Sequence, residues 1–148
     1  MPRTLVAAAL CALGLAAVPA ADAATPLPGF RSPSRNIACL YMPNGPAHLL
    51  CSIAHSAYNR KLDAHCAAPP IELDWGGFEL GPVRKGTIVC TGGILYDPAT
   101  QRPTYVTLQY GKTWRHGQFT CVSRVTGVTC RNRQGHGLFL SRRSWRAW

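Results

Sequence analysis

Between residues 37 and 53, apolar and polar positions alternate on both sides of a turn signal, Pro43-Asn44-Gly45-Pro46. Folding the chain symmetrically about Gly45 sets Ile37 opposite Ile53, Cys39 opposite Cys51 and Tyr41 opposite Leu49. One face of this hairpin is then uniformly apolar, the condition that fixes register in a half-buried sheet. The pattern recurs in Phe119–Ser123 and Val128–Asn132, which flank Arg124-Val125-Thr126-Gly127. A turn closing on Gly127 brings Cys121 opposite Cys130. Ile71–Trp75 alternates, and Gly76-Gly77 predicts a tight hairpin turn into Phe78–Leu80. Thr87–Ile94 is β-branched, Thr104–Tyr110 alternates strictly up to Gly111, and Gly137–Ser141 makes a last short strand. Tyr96–Pro103 carries Pro98 and Pro103, which exclude a central strand and predict a loop. Only Ser56–Cys66 has helical spacing, with Tyr58 and Leu62 on one face. These roughly seven or eight short strands predict an all-β fold. The expected architecture is a small, disulfide-stapled antiparallel sandwich or barrel of short hairpins, with at most one short helix.

Residues 1–23 have the three parts of a secretory signal peptide: Arg3, an apolar run from Leu5 to Val18, and the small-x-small site Ala21-Asp22-Ala23. The run is too short for a comfortable membrane span. Leu10 before Cys11 does not fit lipoprotein processing, so a lipid anchor is not expected. The remainder divides into an extended, loosely held stretch at 24–34, with three prolines, and a single β domain at 35–148. The expected location is secreted, or periplasmic and cell-wall associated.

Outside the leader lie Cys39, Cys51, Cys66, Cys90, Cys121 and Cys130. An even set in an exported chain of this size reads as a disulfide framework. The two hairpin registers pair Cys39 with Cys51 and Cys121 with Cys130, at separations a disulfide spans, leaving Cys66 with Cys90. No CxxC occurs, and no pair of cysteines or histidines has metal-ligand spacing, so neither a metal nor another cofactor is expected.

The net charge is +10, and losing Arg3 and Asp22 with the leader leaves it unchanged. Such a field favours anionic partners: an envelope polymer, a lipid surface or nucleic acid. Of the 16 basic side chains 13 are Arg, which reads first as compositional bias, so charge by itself assigns no activity. The chain is expected to act as a monomer.

The segments Phe30-Arg-Ser-Pro-Ser-Arg-Asn-Ile-Ala-Cys39, Leu73-Asp-Trp-Gly76, Leu108-Gln-Tyr-Gly111, Gly127-Val-Thr-Cys130 and Gly135-His-Gly-Leu-Phe-Leu-Ser-Arg142 span almost the whole exported part. In that order they resemble a family of secreted, mainly actinobacterial, cysteine-paired domains of unknown function. Arg35 stands where that family usually has Gly, Leu138 where it has Phe, and Cys90-Thr-Gly-Gly93 lacks its frequent Asp. The resemblance implies export and paired cysteines, and no reaction.

Candidate chemistry is sparse. Gly135-His136-Gly137 can present an imidazole beside backbone N–H groups, which suits acid–base or anion-binding work, but sequence places no carboxylate to orient it. The simpler reading is a turn. His116, in Trp114-Arg-His-Gly117, reads as a loop residue, and His48, His55 and His65 share no element. Glu72 and Asp74 alternate on one strand with Glu79 facing them across the expected hairpin, a row that could hold a cation or act as a glycosidase pair; more often it is a solvated face. No Gly-x-Ser-x-Gly elbow occurs. The basic residues gather in sequence as Arg131, Arg133, Arg142, Arg143 and Arg146, interleaved with Trp145 and Trp148, a mixture suited to phosphate or an anionic surface. Arg131, Arg133, His136, Arg142 and Arg143 are the anion-binding candidates. Three functions compete: a secreted, non-enzymatic domain adhering to an anionic envelope component; a small ribonuclease-like hydrolase using His136 or His116; and a secreted inhibitor or host-interaction protein. Whether His116, His136 and an acid converge in one pocket discriminates between the first two.

Overall fold

The computed structural model describes residues 24–92 and 100–148. The leader expected at 1–23, the loop residues 96–99 and Asp97 lie outside the described residues. The strands are β1 (Thr25–Arg31), β2 (Ile37–Met42), β3 (His48–Ile53), β4 (Asp74–Leu80), β5 (Thr87–Thr91), β6 (Gln101–Thr107), β7 (Thr113–His116), β8 (Phe119–Arg124), β9 (Gly127–Arg131), β10 (Gly137–Leu140) and β11 (Trp145–Ala147). The helix α1 (Asn59–Ala67) lies between β3 and β4. A six-stranded sheet runs β5-β4-β3-β2-β1-β6, and a five-stranded sheet runs β11-β10-β9-β8-β7. Neither sheet closes, so the fold is a sandwich and not a barrel.

Both expected hairpin registers are present: Ile37↔Ile53, Cys39↔Cys51 and Tyr41↔Leu49 in the first, Cys121↔Cys130 in the second. The bridges are Cys39–Cys51, Cys66–Cys90 and Cys121–Cys130, with Cα separations of 4.0, 5.4 and 4.0 Å. The first and last staple each sheet to itself and face one another across the core, where the sulfurs of Cys39, Cys51 and Cys130 lie within 4.8 Å. Bonded as disulfides, they present no thiolates to a metal. Phe30, Leu49, Phe78 and Leu80 of one sheet meet Phe119, Val128, Leu138 and Leu140 of the other in a single buried cluster. Phe78 is its aromatic centre, with ring centroids 4.9 Å from Trp145, 5.6 Å from Trp75 and 6.3 Å from Tyr58.

Five sequence expectations change. Gly76-Gly77 is not a turn: β4 runs through it with a bulge between Trp75 and Gly77. A Cβ on Gly77 would sit 2.5 Å from the Cys51 carbonyl oxygen, so the glycine lets β4 press against β3. The extra residue sets Trp75 and Phe78 in ring contact despite their odd spacing, and the Trp75 indole N–H donates to the Gly77 carbonyl at 2.9 Å. Gln101–Pro103, expected in a loop, belongs to β6; the exclusion of a central strand holds, because β6 is an edge strand, where a missing donor costs the ladder least. The stretch expected to be loose at 24–34 is instead extended as β1, with Leu27 and Phe30 fully buried. Its prolines are accommodated because β2 pairs only with Gly29–Arg31, leaving Pro26 and Pro28 paired on one side, to β6. That β1–β6 pairing is parallel, the exception to the expected antiparallel order. Finally, β7 and β11 are additional strands, and His116 belongs to β7 and not to a loop.

Candidate anion-binding cleft

At the end of the sandwich where the turn after β1 meets the β8–β9 hairpin and the β10–β11 loop, a cleft of about 560 Å³ opens. Its volume is in the range of small-molecule sites, about 300–1,000 Å³.

Three turns build it, and each is fixed by its own hydrogen bonds. In the Ser32–Ile37 turn, Ser32 N donates to the Ile37 carbonyl at 2.8 Å and the Ile37 N–H returns a bond to Ser32 Oγ at 3.1 Å. Arg35 holds φ +57°, the left-handed conformation that explains glycine as the residue expected there. In the β8–β9 hairpin, Arg124 pairs with Gly127, whose φ is +144°. A Cβ on Gly127 would overlap the Leu140 carbonyl oxygen and lie 2.9 Å from the Phe139 ring, so only glycine fits. In the third turn, Ser141 Oγ donates to the Ser144 carbonyl at 2.9 Å and accepts from the Ser144 and Arg143 N–H groups at 3.1 and 3.3 Å. The segment around α1 anchors this turn: Tyr58 OH donates to the Ser141 carbonyl at 2.9 Å, and Ala57 N–H to the Arg142 carbonyl at 2.8 Å. Burial of Tyr58 pushes its hydroxyl above the ordinary tyrosine range, partly offset by a hydrogen bond to Ser56.

Ser32, Ser34, Asn36 and Thr126 supply neutral polar groups to the lining, and Tyr110 an exposed ring. Arg124, Arg142 and Arg143 supply the charge, and all three are exposed. No carboxylate lines the cleft, and among the described residues these guanidinium groups have no hydrogen-bond or ion-pair partner. Free guanidinium forks beside hydroxyl and amide groups suit bidentate capture of carboxylate or phosphate.

Of the residues expected from sequence to bind anions, the structure brings only Arg142 and Arg143 into the cleft. Arg131, Arg133 and His136 lie at the other end of the same sheet. The antiparallel register of β9 and β10, Gly137↔Arg131 and Leu140↔Val128, sends the residues before Gly137 and those after Leu140 to opposite ends. At the far end the Arg131 and Arg146 guanidinium carbons sit 5.6 and 5.5 Å from the Trp148 ring centroid. Gly135-His136-Gly137 is part of a turn organised by Asn132, whose Oδ1 accepts from the His136 N–H at 3.1 Å and whose Nδ2 donates to the Gly81 carbonyl at 3.0 Å. The His116 ring packs on Tyr41 and Trp114, with centroids at 4.4 and 5.8 Å. By strand register His116 and His136 are three strands apart, about 14 Å. Neither lines the cleft. The expected carboxylate row also disperses: Glu72 precedes β4, while Asp74 and Glu79 lie at opposite ends of that one strand, about 17 Å apart by strand rise.

Arg124, Ser32, Ser34, Asn36, Tyr110 and Thr126 were not singled out from sequence. Their signal was present in another form. Four of the five segments quoted above, those containing Ser32–Ile37, Tyr110, Gly127–Val128 and Ser141–Arg142, meet at this cleft.

Fold and cleft together define a small two-sheet β-sandwich, stapled by three disulfides, with a basic cleft at one end. The chain belongs to a family of unknown function, DUF6636, whose model matches residues 9–146. No curated protein and no solved structure matches it significantly. Its disulfides fit an oxidising compartment, and among the described residues no helix is long and apolar enough to cross a membrane.

Proposed function

We propose that this protein is an exported, non-enzymatic domain that binds an anionic polymer of the cell envelope through the cleft between its two sheets. One observation carries the reading: Arg124, Arg142 and Arg143, from two separate turns, rim a single cleft without a carboxylate partner among the described residues. The turns that carry these three cations set them around one cleft, so folding and not the incoming anion meets the cost of gathering like charges. The serine, threonine and asparagine groups and the Tyr110 ring add partners for sugar hydroxyls and a ring face, favouring an acidic glycan over a bare phosphate chain. The separation of His116 from His136, neither of which lines the cleft, favours binding over hydrolysis. The leader expected at 1–23 and the disulfides support export.

The test compares three sets of Arg→Gln and Lys→Gln changes for binding to immobilised polygalacturonate. Changing Arg124, Arg142 and Arg143 together should weaken binding at least 100-fold, since a hydrogen bond to a charged group contributes about 1.5–3 kcal/mol. Changing Arg60, Lys61 and Arg84 removes the same charge from elsewhere and should cost less than tenfold; Arg131 and Arg133 at the far end should behave likewise. Wild-type affinity should fall as salt rises. Equal losses from the two three-charge sets, with a proportionately smaller loss from the Arg131 and Arg133 pair, would show that net charge alone governs adhesion. RNA hydrolysis abolished by His136→Ala would transfer the case to the hydrolase reading.

A further inference from the structure

We infer that the ligand is an extended chain of anionic units that runs from the cleft, over Arg142, into a second depression on its far side. This rests on the binding reading above and adds a direction and a minimum length to it. The second depression, of about 400 Å³, is lined by His55, Ser56, Ala57 and Arg142. Arg142 thus lines both hollows and forms the ridge between them.

The backbone beneath the ridge is fixed from both sides. The Arg142 carbonyl accepts the Ala57 N–H at 2.8 Å, joining the wall of one hollow to the floor of the other. Asn36, which lines the main cleft, clamps the His55 backbone: its Oδ1 accepts from the His55 N–H at 2.9 Å, and its Nδ2 donates to the His55 carbonyl at 3.1 Å. Ser56 Oγ is engaged by Asn59 and by the Tyr58 N–H, so the segment carrying the second hollow has a set conformation. The two hollows therefore hold a constant spacing. What remains free to adapt are the exposed side chains of His55 and Arg142.

The chemistry of the two hollows differs in a way that suits successive units of one chain. The main cleft concentrates guanidinium and hydroxyl groups, enough to hold one charged unit by itself. The second is shallow, floored by Ser56 and Ala57, and offers one imidazole and the shared guanidinium. It provides too little to capture a separate ligand, but it can hold the next unit of one already bound, because that encounter is intramolecular. A single guanidinium can donate to acidic groups on both neighbours, since it carries five N–H donors in a fixed fork.

The experiment measures affinity by titration calorimetry for galacturonic acid and its oligomers of increasing length, on wild type, Ala57→Trp and His55→Ala. Ala57 and His55 are exposed, so neither change touches the core. Wild type should bind the longer oligomers roughly tenfold more tightly than the shortest that fills the cleft, then gain nothing further. Ala57→Trp, which fills the second hollow, should erase that step while leaving the monomer's affinity unchanged, and His55→Ala should reduce it. If affinity is independent of length, or if the step survives both substitutions, the inference is overturned while the binding reading stands. If neither monomer nor oligomer binds wild type, the binding reading fails and takes this inference with it.

Discussion

Gly137→Ala tests the packing at the far end of the sandwich, and its effect should change sign with the residue at 148. A Cβ on Gly137 would overlap the Trp148 ring, with even the third-nearest ring atom, Cη2, at 2.8 Å. The indole is rigid and lies flat over this position, so it must swing away. With it go two backbone hydrogen bonds, Gly137 N–H to the Trp148 carbonyl at 2.9 Å and Trp148 N–H to the Gly137 carbonyl at 3.2 Å. The guanidinium groups of Arg131 and Arg146 also lose the ring they face. At about 0.5–1.5 kcal/mol net for each hydrogen bond and about 0.5–1 for each exposed cation–π contact, the loss is roughly 2–5 kcal/mol. Gly137 does not occupy the left-handed region, so alanine is conformationally acceptable there once the ring is gone. In a Trp148→Ala background, Gly137→Ala should therefore be neutral or stabilising by about 0.4–1 kcal/mol, through a less flexible unfolded chain. Urea denaturation followed by far-ultraviolet circular dichroism on the four members of this double-mutant cycle measures the coupling. An equal cost of Gly137→Ala in both backgrounds would refute the steric argument. Polygalacturonate binding should be unaffected throughout, since the cleft is at the other end.

Removing the Cys66–Cys90 bridge by a double Cys→Ala change should destabilise by about 3 kcal/mol, since its 24-residue separation is the longest of the three and it alone ties α1 to a strand; an unchanged urea midpoint would show that the core holds the helix without it. Tyr58 predicts an alkaline limb. Its folded-state pKa is raised by burial, so its contribution is complete below the ordinary value of about 10 and is lost as pH rises through the folded value. Tyr58→Phe should flatten that limb and cost about 1 kcal/mol at neutral pH through the lost bond to Ser141. Exposed Tyr110→Phe should do neither, and a limb unchanged in Tyr58→Phe would assign it elsewhere.

The alternation around Gly45 and around Gly127 determined two hairpins, and with them two disulfides and the third by elimination. This worked because hairpin register is local: period-two burial and a turn glycine fix which residues oppose. The helix was legible for the same reason, through Tyr58 and Leu62 on one face, both buried. Charge and cysteine count likewise need only composition to be read. What tertiary structure decided is everything that depends on which strands are neighbours without being adjacent in sequence. Pro26 and Pro28 looked like loose chain, yet β6 pairs with β1 across more than 70 residues, and that partner is invisible to local pattern. Gly76-Gly77 read as a turn because nothing local shows that Cys51 of β3 presses on Gly77.

The candidate site follows the same division. Arg131 and Arg142 are near in sequence, but an antiparallel strand pair carries them to opposite ends, so the expected cluster splits. Arg124 and Arg142 are far apart in sequence, and the turns that carry them meet because the β8–β9 and β10–β11 connections fall at the same end of one sheet. Sequence determined which side chains could carry charge and which turns could hold them. Only the stacking of two sheets over a common core decided which of those turns would share a cleft, because that proximity comes from long-range burial and not from any spacing along the chain.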